Sequence, residues 1–113
     1  MGSAKTEALL RYLEIFKNAG PFDELETLFD PNMRFRGPLF SADNALSYIE
    51  TLKRDPSQGV DYNLISSFES DQEALLVIDF IKGSRRTPMV VWGKFSDDKI
   101  KALSLIFDSG ALR

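Results

Sequence analysis

Near the start of the chain, apolar residues recur three and four positions apart. This spacing predicts an amphipathic helix over residues 4–18, because residues so spaced share one face of a helix. Gly20 is predicted to end the helix, since glycine accepts the left-handed backbone that closes many helices. The apolar stripe of this helix consists of Leu9, Tyr12, Leu13 and Phe16.

Shorter elements are predicted up to residue 54. Pro21 suits the first turn of a short second helix, and a turn at residues 30–32 is expected to end that helix. Residues 33–35 alternate in polarity and predict a short strand. A third helix is predicted over residues 42–54, with Ser41 or Asp43 as its cap.

From residue 60 onwards the apolar pattern has a period of two, which predicts strands. The segments are separated by short turns, and such turns join antiparallel strands as hairpins. The four predicted strands cover residues 60–68, 74–82, 87–96 and 100–107.

These strands are apolar on both faces. In an antiparallel sheet with one solvent-exposed face, each strand alternates between apolar and polar residues. Residues 74–82, by contrast, are apolar at odd and even positions alike, apart from Asp79 and Lys82. Three modest helices cover one face, so we expect the other face to meet a second copy of the chain in a homodimer. The predicted interface consists of Ile78, Phe80, Val90, Trp92 and Ile106.

Length and composition indicate one domain over residues 1–113, with residues 1–3 expected to be disordered or to come from a cloning vector. The net charge is −3 and the chain has no long basic run, so nucleic acid is not an expected partner. The sequence lacks the apolar run of about 20 residues that a membrane span needs. A cytoplasmic protein without a membrane partner is therefore expected.

Histidine and cysteine are both absent from the sequence. Catalytic triads with histidine, thiolate nucleophiles and metal sites with His or Cys ligands are therefore excluded. The spacing of the acidic residues does not indicate a metal site, and we expect no cofactor. Any acid–base chemistry must use Asp, Glu, Tyr or Lys.

The order of the predicted elements resembles that of the nuclear transport factor 2-like (NTF2-like) superfamily. Local sequence also resembles the opening segment of SnoaL-like polyketide cyclases and ketosteroid isomerases, and the likeness spans roughly residues 5–108. The residues that carry it are Asn18-Ala19-Gly20, Phe22-Asp23, Leu28-Phe29-Asp30-Pro31-Asn32 and Met33-Arg34-Phe35-Arg36-Gly37-Pro38.

The resemblance implies an α+β fold of the cystatin-like kind. In that fold the N-terminal helices pack on a curved, mainly antiparallel sheet that forms a conical half-barrel, with elements in the order α-α-β-α-β-β-β-β. An apolar cavity lies at the open end of the cone. Members include isomerases, cyclases, dehydratases and non-catalytic binding proteins, and many dimerise through the outer sheet face.

The resemblance argues against ketosteroid isomerase activity. Gly37 occupies the position of that enzyme's general-base Asp, and Val91 occupies the position of its second acidic residue. Its tyrosine donor falls near Leu13, with Tyr12 adjacent. The histidine that several cyclases and dehydratases of this fold use is absent.

Asp79 is the candidate catalytic residue, because it interrupts an apolar strand on the face that the resemblance assigns to the cavity. A carboxyl group in apolar surroundings has a raised pKa and can transfer a proton near neutral pH. In the alternative interpretation Asp79 pairs with an arginine, accepts backbone hydrogen bonds or lies near a sheet edge.

Ten residues are predicted to line a ligand cavity, although ordinary core packing accounts for most of them equally well. Gly37 and Gly93 are small residues that leave room for a ligand. The predicted lining is Tyr12, Phe16, Phe35, Tyr62, Val77, Met89, Val91, Phe95, Leu105 and Phe107.

Three functions remain open from the sequence. The first is a homodimeric protein that binds a small hydrophobic molecule in an apolar pocket. The second is an isomerase, cyclase or dehydratase that acts on a hydrophobic ligand through an Asp acid–base. The third is an interaction module that uses the sheet face to recruit another protein.

Overall fold

A computed structural model describes residues 4–56 and 58–112. The expectation for residues 1–3 lies outside this part of the chain. Every predicted helix and strand is present, and the sheet gains a two-residue strand. In chain order the elements are α1 (Ala4–Asn18), a 3-10 turn (Phe22–Glu24) that runs into α2 (Leu25–Leu28), β1 (Phe29–Arg36), β2 (Ser41–Ala42), α3 (Ala45–Arg54), β3 (Val60–Glu69), β4 (Glu73–Lys82), β5 (Arg85–Ser96), β6 (Lys99–Phe107) and a final 3-10 turn (Ser109–Leu112).

The six strands form one open sheet in the order β2-β1-β6-β5-β4-β3. All neighbours are antiparallel except β1 and β6, which are parallel. The helices pack on one face of this sheet, so the predicted α+β class is confirmed. None of the helices in the described part of the chain has the length and apolar character that a membrane span requires.

Helix α1 buries Leu9, Tyr12 and Leu13 as predicted, together with Ile15, whereas Phe16 is only partly buried. The helix spans Ala4–Asn18, the predicted range, and only the residue that takes the left-handed conformation after it differs from the prediction. Ala19, with φ of 56°, takes the left-handed conformation that was assigned to Gly20. The Gly20 N–H then donates to the Ile15 carbonyl at 2.9 Å, which closes the helix.

Two predicted boundaries between the second and third helices are corrected. Residues 30–32 are part of β1, where the register with β6 shifts between Phe29 and Arg34, and they are not a turn that ends a helix. The cap of α3 is Asn44, neither Ser41 nor Asp43. The Asn44 side chain accepts a hydrogen bond from the Ser47 N–H at 2.8 Å.

The inward face of β4 is the opposite of the predicted one. Lys82 pairs with Arg85 across a two-residue turn, so Ile78 lies opposite Met89. Ile78 and Phe80 therefore face the helices and are buried, and they are not interface residues. Val77 and Asp79 face outward, and they are not cavity residues.

The outer face of the sheet carries apolar side chains that no helix of the described residues covers. Val90 and Trp92 point outward from β5, and Ile106 on β6 is 54% exposed, as predicted for these three residues. Leu75 and Val77 extend this surface on β4. The Trp92 indole N–H donates to Glu73 Oε1 at 2.7 Å, which fixes the ring on that surface.

Candidate functional site

A cavity of about 300 Å³ lies between the inner face of the sheet and α3. We call it the inner cavity. It opens towards the end of the sheet where β4 meets β5 and where β1 leaves the sheet. Its walls come from α1, the β1–β2 segment, α3 and the inner faces of β3 to β6. They consist of Phe16, Phe35, Gly37, Pro38, Leu39, Phe40, Tyr48, Thr51, Leu52, Asp55, Val60, Phe80, Lys82, Met89, Leu105 and Phe107.

Helix α1 packs closely on the sheet at the end away from the cavity mouth. A Cβ atom built on Gly93 lies 2.9 Å from Leu9 Cδ2, so helix and strand touch there without an intervening side chain. Leu9 and Phe95 are buried at this closed end. Towards the open end α1 contacts the sheet through Phe16, whose ring centroid lies 6.3 Å from that of Phe80, and the space beside these rings is the inner cavity.

Aromatic rings form one wall of the inner cavity. Phe35 stacks on Tyr48 with ring centroids 4.1 Å apart and planes at 15°. Phe40 packs on Phe35 at 5.1 Å. A Cβ atom on Gly37 would lie 3.1 Å from Phe35 Cζ, so glycine lets the chain turn closely past this ring. The wall is therefore held by packing before any ligand binds.

Two tyrosine hydroxyls meet beside this wall. Tyr12 from α1 and Tyr48 from α3 are both buried, and their hydroxyl oxygens lie 2.6 Å apart. Burial raises the pKa of Tyr12 above its usual value, and burial together with Tyr12 raises the pKa of Tyr48. Both hydroxyls thus stay protonated at neutral pH, as hydrogen-bond donors and not as bases.

The remaining polar side chains lie on α3 and β4. The Thr51 hydroxyl donates to the Ser47 carbonyl of its own helix at 2.9 Å. Asp55 caps the end of α3, and Lys82 ends β4. These two charged residues are exposed while also lining the inner cavity, which places them at its mouth.

Half of the predicted lining residues surround the inner cavity. Val91 and Phe95 also face inward, but they are buried in the packed core. Tyr12 reaches the cavity only through its bond to Tyr48, and the Tyr62 hydroxyl donates to Glu14 at 2.6 Å. Val77 faces outward. The five residues that line the cavity are Phe16, Phe35, Met89, Leu105 and Phe107.

Asp79, the predicted acid–base, does not face the inner cavity. It lies on the outer face of β4, and its Oδ2 is 3.0 Å from Arg86 Nη2. Its side chain keeps 28% of its surface exposed. Asp79 therefore forms an ion pair with an arginine, as in the alternative interpretation.

Sequence reasoning missed most of the mouth and the α3 wall. Tyr48 and Leu52 belong to the predicted apolar stripe of the third helix. Such a stripe predicts burial, but it does not show that part of the helix borders a cavity. Asp55 and Lys82 stand at the ends of their elements, where charged residues are common. Only the Gly37-Pro38 break marked the segment that forms the rim.

No family model and no curated protein matches the sequence. Solved structures do match its fold. An NTF2-like protein of unknown function from Cytophaga hutchinsonii superposes with a TM-score of 0.79 at 15% identity, covering 99% of this chain and 96% of that one.

Two further structures have names that suggest activities. A steroid delta-isomerase from Pseudomonas aeruginosa has a TM-score of 0.73 at 16% identity, with 99% of this chain and 85% of that chain covered. A protein from Jannaschia sp. CCS1, proposed to be a SnoaL-like polyketide cyclase, has a TM-score of 0.79 at 12% identity, with 96% and 88% covered. The chain therefore has the NTF2-like fold.

Proposed function

We propose that the protein binds a small, mainly apolar molecule in the inner cavity. The observation that carries this proposal is the unfilled space of about 300 Å³ among buried and half-buried apolar side chains. Protein interiors pack as densely as organic crystals and leave few voids larger than a water molecule. Ligand cavities, by contrast, start at about 300 Å³ and are lined mainly by hydrophobic and aromatic residues.

The shape of the cavity supports binding of an aromatic or cyclic molecule. The stacked rings of Phe35 and Tyr48 offer a flat, preformed surface on one side. Met89 on the facing sheet is unbranched and adapts to irregular shapes. A ligand that enters meets walls that need little reordering, which lowers the entropic cost of binding.

Titration with the uncharged fluorescent probe N-phenyl-1-naphthylamine tests this proposal. Leu105→Trp adds bulk directly to the cavity, and we expect it to weaken probe binding by about tenfold or more, or 1.4 kcal/mol. Leu46→Trp is the matched control, because Leu46 is exposed on α3 and does not line the cavity. Equal affinities for the two variants would show that the probe binds elsewhere and would refute the proposal.

A proton-transfer activity of the isomerase or cyclase type is the second candidate function. The names of the similar structures and the buried Tyr12–Tyr48 hydroxyl pair support it, since such a pair can donate to a ligand oxygen. The acid–base would be Asp55 at the cavity mouth, because Asp79 faces away. Exchange of the α-protons of a cyclic ketone with solvent deuterium, catalysed by the wild-type protein and lost in Asp55→Asn, would favour this function over binding alone.

We further propose that the outer face of the sheet joins two copies of the chain. Its support is the apolar surface of Leu75, Val77, Val90, Trp92 and Ile106, which no helix covers. Exposed apolar patches of this kind mark interaction sites, and a twofold dimer is the commonest way to cover them. The oligomeric state in solution tests this second proposal.

A further inference from the structure

The inner cavity has four polar side chains among its lining residues, and two of them already hold a hydrogen bond within the protein. The Tyr48 hydroxyl is bonded to Tyr12 at 2.6 Å, and the Thr51 hydroxyl is bonded to the Ser47 carbonyl at 2.9 Å. The charged groups available to a ligand are those of Asp55 and Lys82.

Neither charge is neutralised by an ion pair within the described residues, although five basic side chains elsewhere are. Arg11, Lys17, Arg36, Lys53 and Arg86 each form an ion pair with an acidic side chain. Within residues 4–56 and 58–112, Asp55 and Lys82 form no ion pair, either with each other or with another residue. They belong to different elements, α3 and β4, and both line the cavity mouth.

The β1–β2 segment of the mouth is apolar. Leu39 is 68% exposed and Phe40 is 39% exposed, and both line the cavity. A ligand bound in the cavity thus contacts apolar side chains along most of its length, and Leu39 and Phe40 contact its end at the mouth. The mouth also presents one carboxylate and one ammonium group to the ligand.

We infer that the ligand carries, at the mouth, a polar group without net charge that both donates and accepts hydrogen bonds, such as a carboxamide. The inference rests on the proposed binding function. A carboxamide N–H donates to Asp55 while its carbonyl oxygen accepts from Lys82. A ligand carboxylate gains from Lys82 but is repelled by Asp55, and a ligand amine meets the reverse combination. Only a group with both capacities satisfies both side chains.

Competition against N-phenyl-1-naphthylamine tests the inference with three probes on one ring system. These are 2-naphthamide, 2-naphthoate and 2-(aminomethyl)naphthalene. At neutral pH and low salt, we expect the amide to bind more tightly than either charged probe, by about tenfold. Lys82→Gln should weaken the carboxylate relative to the amine by about tenfold, and Asp55→Asn should do the opposite.

Two variants far from the mouth serve as matched controls. Lys94→Gln, on the outer face beside Trp92, and Asp71→Asn, in the turn before β4, remove the same charges and should leave the order of affinities unchanged. If all three probes bind equally, or a charged probe binds best, the inference is overturned and the cavity proposal stands. If the fluorophore binds and none of the three probes displaces it, the inference is overturned. If the fluorophore itself does not bind, the proposed function fails.

Discussion

Two hydroxyl groups in the core depend on each other for their hydrogen bonds. Tyr12 and Tyr48 are each about 1% exposed, and their hydroxyl oxygens are 2.6 Å apart. A buried hydroxyl that loses its partner keeps the full desolvation cost, about 1–3 kcal/mol, whereas removing both partners together removes that cost. The energetic value of the pair therefore lies in the coupling between the two residues.

The first prediction concerns this coupling. Tyr12→Phe and Tyr48→Phe should each lower the free energy of unfolding by about 1–3 kcal/mol, because each leaves one buried hydroxyl unpaired. The double variant should lose less than the sum of the two single losses. Urea unfolding monitored by circular dichroism measures all four proteins. Strictly additive losses would mean that the hydroxyls do not bond in solution.

The same pair predicts a loss of stability in alkali. Burial raises the pKa of both tyrosines, so above pH 10 the unfolded chain releases protons that the folded chain keeps. The unfolded state then binds fewer protons, and stability falls as pH rises, by up to about 1.4 kcal/mol per pH unit for each tyrosine.

Unfolding measured between pH 9 and pH 11 checks this expectation. The Tyr12→Phe, Tyr48→Phe double variant should lose less stability over this range than the wild type. Some loss should persist in it, because burial and Glu14 also raise the pKa of Tyr62. Identical pH profiles for the two proteins would contradict the buried state of the pair.

At the scale of elements, α1 packs directly on β5. Gly93 lets Leu9 lie directly on the strand, and this contact fixes which end of the sheet is closed. Any residue can adopt the backbone conformation of Gly93. Glycine is favoured at this position because a side chain would lie too close to Leu9. The helix position in turn leaves the inner cavity open at the other end.

Gly93→Ala is therefore expected to destabilise the fold by about 1–3 kcal/mol, because its Cβ would lie 2.9 Å from Leu9 Cδ2 and 3.2 Å from Phe95 Cε1. The cost should shrink when Leu9→Ala is already present, since that change removes the closest neighbour. Chemical denaturation of the two single variants and the double variant measures the coupling. An equal cost of Gly93→Ala in both backgrounds would mean that α1 does not press on Gly93.

For the whole molecule, the layers are asymmetric. All helices pack on the inner face of the sheet, and the outer face displays an apolar surface that includes Val90, Trp92 and Ile106. The unpaired edge of β3 lies beside this surface, with Phe68 59% exposed. Association of two copies through the outer faces would remove this apolar area from water, which is favourable in proportion to the area buried.

We expect the 12.8 kDa chain to elute as a dimer of twice that mass at micromolar concentration. Val90→Glu places a charge within the proposed interface and should yield monomers, because an unpaired buried charge is costly. Leu46→Glu, an exposed apolar residue on α3, is the matched control and should remain dimeric. Light scattering after size-exclusion chromatography reports the mass. A monomeric wild-type protein would rule out the proposed dimer.

The sequence determined the class of fold and the order of its elements. Helical spacing in the first half and a period of two from residue 60 place the helices and the four long strands within a few residues of their observed bounds. These signals are local, because side-chain periodicity reflects the geometry of a single element. The short turns likewise fix antiparallel pairing between successive strands.

The tertiary structure decided which face of β4 looks inward. Ile78 and Val77 are both apolar, and they lie on opposite faces of the strand. The sequence pattern therefore does not indicate which face is buried. The two-residue turn at residues 83–84 did contain the answer, since it pairs Ile78 with Met89, which was assigned inward. The resemblance alone assigns Asp79 to the cavity face, whereas this pairing places it on the outer face.

Contacts between distant segments decided the site itself. The parallel pairing of β1 with β6 and the packing of Leu9 on Gly93 bring α3 and the end of β4 around one cavity. No local pattern encodes that Asp55 and Lys82 share its mouth, because their distance depends on how every intervening element packs. The sequence specifies the elements by their own periodicity, whereas the cavity is the space that those elements leave between them.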